Sequence, residues 1–173
     1  LPPMKRPLLA LPLLLLALGA CLPLPRPASP WMLEDLRALD PAGDAPAPAS
    51  DLLAAYTRLT AQEVQIRIDL LDLAPAGGFD LSLSIQDEGR FAVSPLNIHL
   101  SAGQPAVVEQ PGRPAPEIRP RIVYDPWLDT VTISLNRALL GDRYQFDVFS
   151  RAAPSAEIAD AVRGIRSDAL PPA

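Results

Sequence analysis

From residue 64 onward the chain alternates. Val64, Ile66, Ile68 and Leu70 are apolar, while Gln65, Arg67 and Asp69 between them are polar, the two-residue period of a strand with one buried face. Burying those four side chains contributes about 6–12 kcal/mol before chain entropy opposes it. Phe79, Leu81, Leu83 and Ile85 alternate in the same way with Asp80, Ser82, Ser84 and Gln86; Leu96, Ile98 and Leu100 do so around Asn97 and His99. Val131, Ile133 and Leu135 make a further run, and Tyr144, Phe146 and Val148 close the pattern. Turn formers separate the runs, as in Pro75-Ala76-Gly77-Gly78 and Asp87-Glu88-Gly89-Arg90. Weaker strands are predicted at Phe91 to Val93, Ala106 to Glu109 and Ile118 to Tyr124, the last confined to a sheet edge by Pro120. Leu52 to Leu59 stays open on pattern alone, because Ser50 suits the cap of a short helix as well as the segment suits a strand. Eight or so short strands with turns between them predict an all-β fold, an antiparallel β-sandwich of jelly-roll or immunoglobulin-like type.

The flanks read differently. Proline at nearly every second position from Leu22 to Pro30 favours polyproline II, a semi-rigid tether of residues 22–30 ahead of a sandwich at 31–150. Residues 151–173 read as a C-terminal linker, with one short helix from Pro154 to Val162 capped by Ser155 and stopped by Gly164. Residues 1–21 carry Lys5 and Arg6, an apolar run from Leu8 to Leu18 and the small pair Gly19-Ala20 before Cys21, the three parts of an export signal helix. The apolar run is too short for a spanning helix, which needs about 20 residues.

Leu18-Gly19-Ala20-Cys21 resembles the lipobox of bacterial lipoproteins. The resemblance implies a lipidated Cys21, removal of the residues before it, and an extracytoplasmic domain anchored to a membrane. Two or three acyl chains hold far more firmly than one, at about 0.8 kcal/mol per buried methylene. An ordinary secretory signal with a chance cysteine is the alternative.

Composition narrows the function classes. Without the first 20 residues the chain keeps 13 basic against 20 acidic side chains, which argues against nucleic acid as a partner. Cys21 is the only cysteine, so no disulfide or thiolate metal site is expected and stability must come from packing. Leu1-Pro2-Pro3 precedes the first methionine, and Leu170-Pro171-Pro172-Ala173 has the composition of a linker. A longer reading frame is therefore expected.

The succession DPAGDAPAPASDLLAAYTRL (40–59), EVQIRIDLLDL (63–73), FDLSLSIQD (79–87) and DTVTISLNRALLGDRYQFDVFS (129–150) resembles all-β domains related to family 9 carbohydrate-binding modules, DOMON domains and the C-terminal domain of glucodextranase-type enzymes. It covers about residues 31–150. The likeness implies an accessory or ligand-binding sandwich, makes Leu52 to Leu59 a strand, and places a polysaccharide-deacetylase-like domain beyond Ala173.

Candidate chemistry is sparse. His99 is the sole imidazole and sits on the polar face of a strand, where solvent contact is its plain role; no Gly-x-Ser-x-Gly elbow occurs, so no enzyme is expected. Asp125 with Asp129, or Asp69 with Asp72, is explained by local charge on turns rather than by an acid and base pair. Asp40, Asp44 and Asp51 offer hard oxygen ligands for calcium, an ion that the likeness also implies; capping of turns is the alternative. For polysaccharide, an aromatic platform with amide and carboxylate partners is needed, and Trp127, Tyr124, Asp125 and Asn97 are the candidates. Two readings follow: a non-catalytic accessory module that binds carbohydrate near the membrane, or a structural spacer or protein-interaction sandwich that binds none.

Overall fold

A computed structural model describes residues 31–73, 78–92, 94–111, 113–151 and 157–168. Among the described residues eleven strands run in chain order: β1 (Leu36–Leu39), β2 (Leu52–Leu59), β3 (Glu63–Leu70), β4 (Asp80–Asp87), β5 (Leu96–Ser101), β6 (Val107–Gln110), β7 (Arg113–Pro114), β8 (Arg121–Asp125), β9 (Thr130–Asn136), β10 (Tyr144–Arg151) and β11 (Ile158–Arg166). They form two antiparallel sheets, one in the order β1-β2-β3-β9-β8 and the other β11-β10-β4-β5-β6-β7. The fold is the expected sandwich.

Alternation decides which side chains meet between the layers. Val64, Ile66 and Ile68 of β3 face inward beside Leu135, Ile133 and Val131 of β9, their register partners. Leu81, Leu83 and Ile85 of β4 oppose Leu100, Ile98 and Leu96 of β5 on one side, and Leu83 and Ile85 pair with Val148 and Phe146 of β10 on the other. All are buried in one cluster that also takes in Phe91, Leu140 and Ile165. The polar partners of each strand lie on the outer faces, as a one-residue slip would reverse.

Several weaker expectations are corrected. Of the helix expected from Pro154 to Val162, residues 158–162 are instead part of strand β11, while 154–156 lie outside the described residues, and the domain continues beyond residue 150 through β11 where a linker was expected. β10 presents a row of backbone groups at its outer edge, and pairing with β11 satisfies them. Gly164, read as a helix stop, sits at φ +66° where the register shifts, and its N–H donates to Asp147 Oδ1 at 2.7 Å. Phe91 is no strand residue. It is buried in a turn, its N–H bonded to Asp87. Ile118 likewise belongs to a turn, and β8 begins only after Pro120, at the edge where proline was expected. The signal helix, Cys21 and the tether 22–30 lie outside the described residues. Among the described residues no helix is long and apolar enough to cross a membrane.

Asp87 holds one end of the sandwich together. Its Oδ1 accepts from Gly89 N at 3.0 Å and Phe91 N at 2.7 Å, and its Oδ2 from Gly141 N at 3.1 Å, tying the β4–β5 connection to the turn after β9. A buried carboxylate that satisfies three backbone donors cannot be truncated cheaply, because the donors stay behind without partners. Asp87→Ala is expected to lower unfolding stability by about 2–4 kcal/mol in urea titrations, against less than about 0.5 kcal/mol for exposed Glu88→Ala. Equal midpoints for the two variants would contradict this role.

Candidate functional site

The start of β4 marks the end of the sandwich where the chemistry-bearing groups gather. The turn between β8 and β9 carries Trp127 at its tip, 72% exposed. Asp125 Oδ1 accepts from the N–H groups of Trp127 (3.0 Å) and Leu128 (3.2 Å), closing the near side of the turn. Asp129 closes the far side. Its backbone is left-handed at φ +54°, its carbonyl accepts from Leu70 N at 2.9 Å and its Oδ1 from Leu73 N at 3.0 Å. An indole is thus presented to solvent on a turn fixed at both ends. Tyr124 precedes it on edge strand β8 and packs on Phe79, ring centroids 5.1 Å apart at 49°. Burial raises the Tyr124 phenol above its usual pKa.

Of the four residues expected to hold sugar, the structure keeps Trp127 and Tyr124 at this edge. Asp125 is engaged by the backbone of its own turn. Asn97 does not join them, because it stands between buried Leu96 and Ile98 and so points from the outer face of the six-stranded sheet, in register with Ser84 and Glu109. Strand parity, visible in the sequence, separates it from the turn; the pairing of β5 inside the second sheet was not visible.

The second group is acidic. Asp40 and Asp44 lie in the β1–β2 connection and Asp160 in β11, and one carboxylate oxygen from each falls within 4.8 Å of the other two. Asp160 was missed, since residues 151–173 carried no strand signal strong enough to bring it back to the first loop. Asp51 does not take the expected place in the trio. It is buried behind the loop with Oδ2 accepting from Gly43 N at 2.6 Å. Asp160 is held by Leu52 N, which donates to its Oδ2 at 2.8 Å. Burial, then the charges of Asp160, Asp44 and Asp51, pushes the Asp40 carboxyl up from 3.8 to about 6.

Leu71 N bonds to Asp51 O at 3.0 Å, and Leu73 N to Asp129 Oδ1 at 3.0 Å. One short segment thereby connects the acidic loop to the Trp127 turn. Of the other acids considered from sequence, Asp69 is paired to Arg67 at 2.6 Å.

His99 is not simply solvated. Its Nδ1 lies 2.9 Å from Ser82 Oγ and its Nε2 3.2 Å from Glu109 Oε1. Arg151 Nη1 donates to Ser82 Oγ at 3.0 Å, which directs the serine proton toward Nδ1 and the Nε2 proton toward Glu109. The order is that of nucleophile, base and carboxylate. Ser82, however, is buried beneath its neighbours, and β4 is paired on both sides, so the backbone N–H groups around it are engaged in the ladder.

No family model matches the sequence, and no curated protein matches it.

Asp40 has a pH signature. Its raised folded-state value means that the folded chain binds this proton more tightly than the unfolded chain does, so its contribution to stability is full below 3.8 and is lost as pH rises through about 6. In buffer free of divalent cations, the melting temperature of wild type relative to Asp40→Asn is expected to fall across that window. Parallel curves for the two proteins from pH 4 to 7 would contradict it.

Proposed function

We propose that this chain is a lipid-anchored, extracytoplasmic accessory module without catalysis of its own, which holds polysaccharide against the Trp127 edge for a carbohydrate-active, deacetylase-like domain beyond Ala173. The observation that carries the reading is Trp127 itself, exposed at 72% on a turn whose two ends are fixed by Asp125 and Asp129. An apolar ring kept in water by a rigid turn suits stacking on the C–H face of a sugar, with little ordering entropy to oppose binding. Tyr124 and Phe79 extend the same edge. Cys21, after its apolar run, supplies the anchor in this reading.

A second reading has its own support. With Asn97 on another face and Asp125 engaged by its turn, the aromatic edge has neither of its expected polar partners. That favours a spacer or protein-interaction sandwich which binds no sugar.

Affinity electrophoresis of residues 31–173 through a panel of soluble polysaccharides separates the two. The first reading expects retardation by at least one glycan, abolished by Trp127→Ala with the melting temperature changed by less than about 2 °C, as befits an exposed site. Unretarded wild type on every glycan, or Trp127→Ala retarded as strongly as wild type, would remove the sugar site and favour the spacer. The anchor is tested separately. Cys21→Ser is expected to move the protein from the membrane to the soluble fraction of an expressing bacterium, and an unchanged membrane fraction would contradict lipidation.

A further inference from the structure

We propose that the outer edge of β8 is an interaction surface for a second copy of this chain, the two β8 strands pairing antiparallel about a two-fold axis at Val123. The pairing does not rest on the sugar reading.

Its first support is a comparison of the four sheet edges. β1 is four residues long, and its register against β2 shifts between Leu36 and Ala38; β11 shifts against β10 at two places. β7 is two residues, one of them Pro114. Edges that are short, bulged or interrupted by proline resist recruitment of another strand. β8 carries no such device within it. Arg121 to Asp125 pair with β9 residue for residue, and Pro120 and Pro126 stand outside the strand. Among the described residues no strand lies on its other side.

The second support is the order of side chains along the strand. Register with Ser134, Thr132 and Thr130 puts Arg121, Val123 and Asp125 on one face, while Ile122 and Tyr124, opposite buried Ile133 and Val131, lie on the inner one. A two-fold axis at Val123 sets Arg121 against Asp125 of the second copy, and Asp125 against its Arg121. Ile122 then meets Tyr124 twice, and Val123 meets itself. All five cross-strand pairs are of stabilising types, opposite charges at the ends and aromatic or β-branched groups between them. A slip of one residue turns the faces over, and a shift of two sets Arg121 or Asp125 against Val123, so the strand selects a single register.

The groups are placed to meet. Val123 is 44% exposed and Tyr124 38%. Arg121 reaches Glu63 and Ser134 through Nη2, which leaves Nε and Nη1 for a second carboxylate. Asp125 turns Oδ1 to its own loop, which leaves Oδ2.

Pairing joins the two five-stranded sheets into one. The two Trp127 turns then stand at opposite ends of the shared edge, roughly 25 Å apart at about 3.3 Å per residue. On the sugar reading, one long polysaccharide meets both indoles and is held by avidity.

The test is a cross-link. Val123→Cys, made in the full chain, is oxidised with copper phenanthroline in the expressing bacterium, with wild type as the blank because its only cysteine is Cys21. Facing positions on the axis put the two Cα atoms about 4.5–5.5 Å apart, within the range of a disulfide. A reducible band of twice the monomer mass is expected, at least tenfold stronger than that from Leu39→Cys, which is exposed on the opposite edge strand of the same sheet. Adding Arg121→Gln is expected to weaken the band at least threefold. Asp125→Asn, which keeps an oxygen to cap the turn, should do the same. A Val123→Cys band no stronger than that of Leu39→Cys, or one indifferent to both charge substitutions, would overturn the pairing; a product of some other mass would give the edge to a different protein and overturn it too.

Discussion

The contact between the two inner faces is what the rest of this molecule depends on. Ile66 and Ile133 from one sheet, and Leu83, Ile98 and Phe146 from the other, are withdrawn from water together, and neither sheet could keep its apolar face without its counterpart. The backbone ladders fix spacing and register, but each bond adds only about 1 kcal/mol net, since unfolded chains bond to water instead. Burial therefore sets stability, and the ladders decide which side chains are buried.

That division of labour explains what was legible in the sequence. The strands with a strict two-residue period, β3, β4, β5, β9 and β10, could be read directly because one-sided burial leaves its mark on every residue. β11 could not. An edge strand is half solvated, so Ile158 to Arg166 is intermediate or exposed throughout apart from Ile165, and alanine-rich local propensity then argues for helix. The neighbour that overrides propensity, β10, belongs to the fold and is invisible in the local pattern. β1 and β7 also lie at edges and are short, four and two residues, which leaves little period to read.

The candidate sites divide along the same line. Turn residues act on their neighbours in sequence, so Asp125 capping its own turn is a local matter that residue chemistry foretells. Asp40 and Asp44 were legible as oxygen ligands, whereas Asp160 reaches them only because β11 returns to the first loop. Asn97 shows the converse. It has suitable chemistry for a sugar hydroxyl, but its strand directs it away from the aromatic edge. Likewise the Ser82, His99 and Glu109 line exists only through the pairing of three strands.

The second sheet and the acidic cluster share one requirement, that residues 158–166 complete that sheet. Without that strand Asp160 leaves the acidic cluster, the edge of β10 is bare and the seam beside β1 opens. Amide hydrogen exchange followed by mass spectrometry on the full chain addresses this directly. The account predicts that peptides spanning 158–166 exchange orders of magnitude more slowly than an unstructured chain; exchange there at the rate of a free peptide, with β4 and β10 still protected, would contradict it.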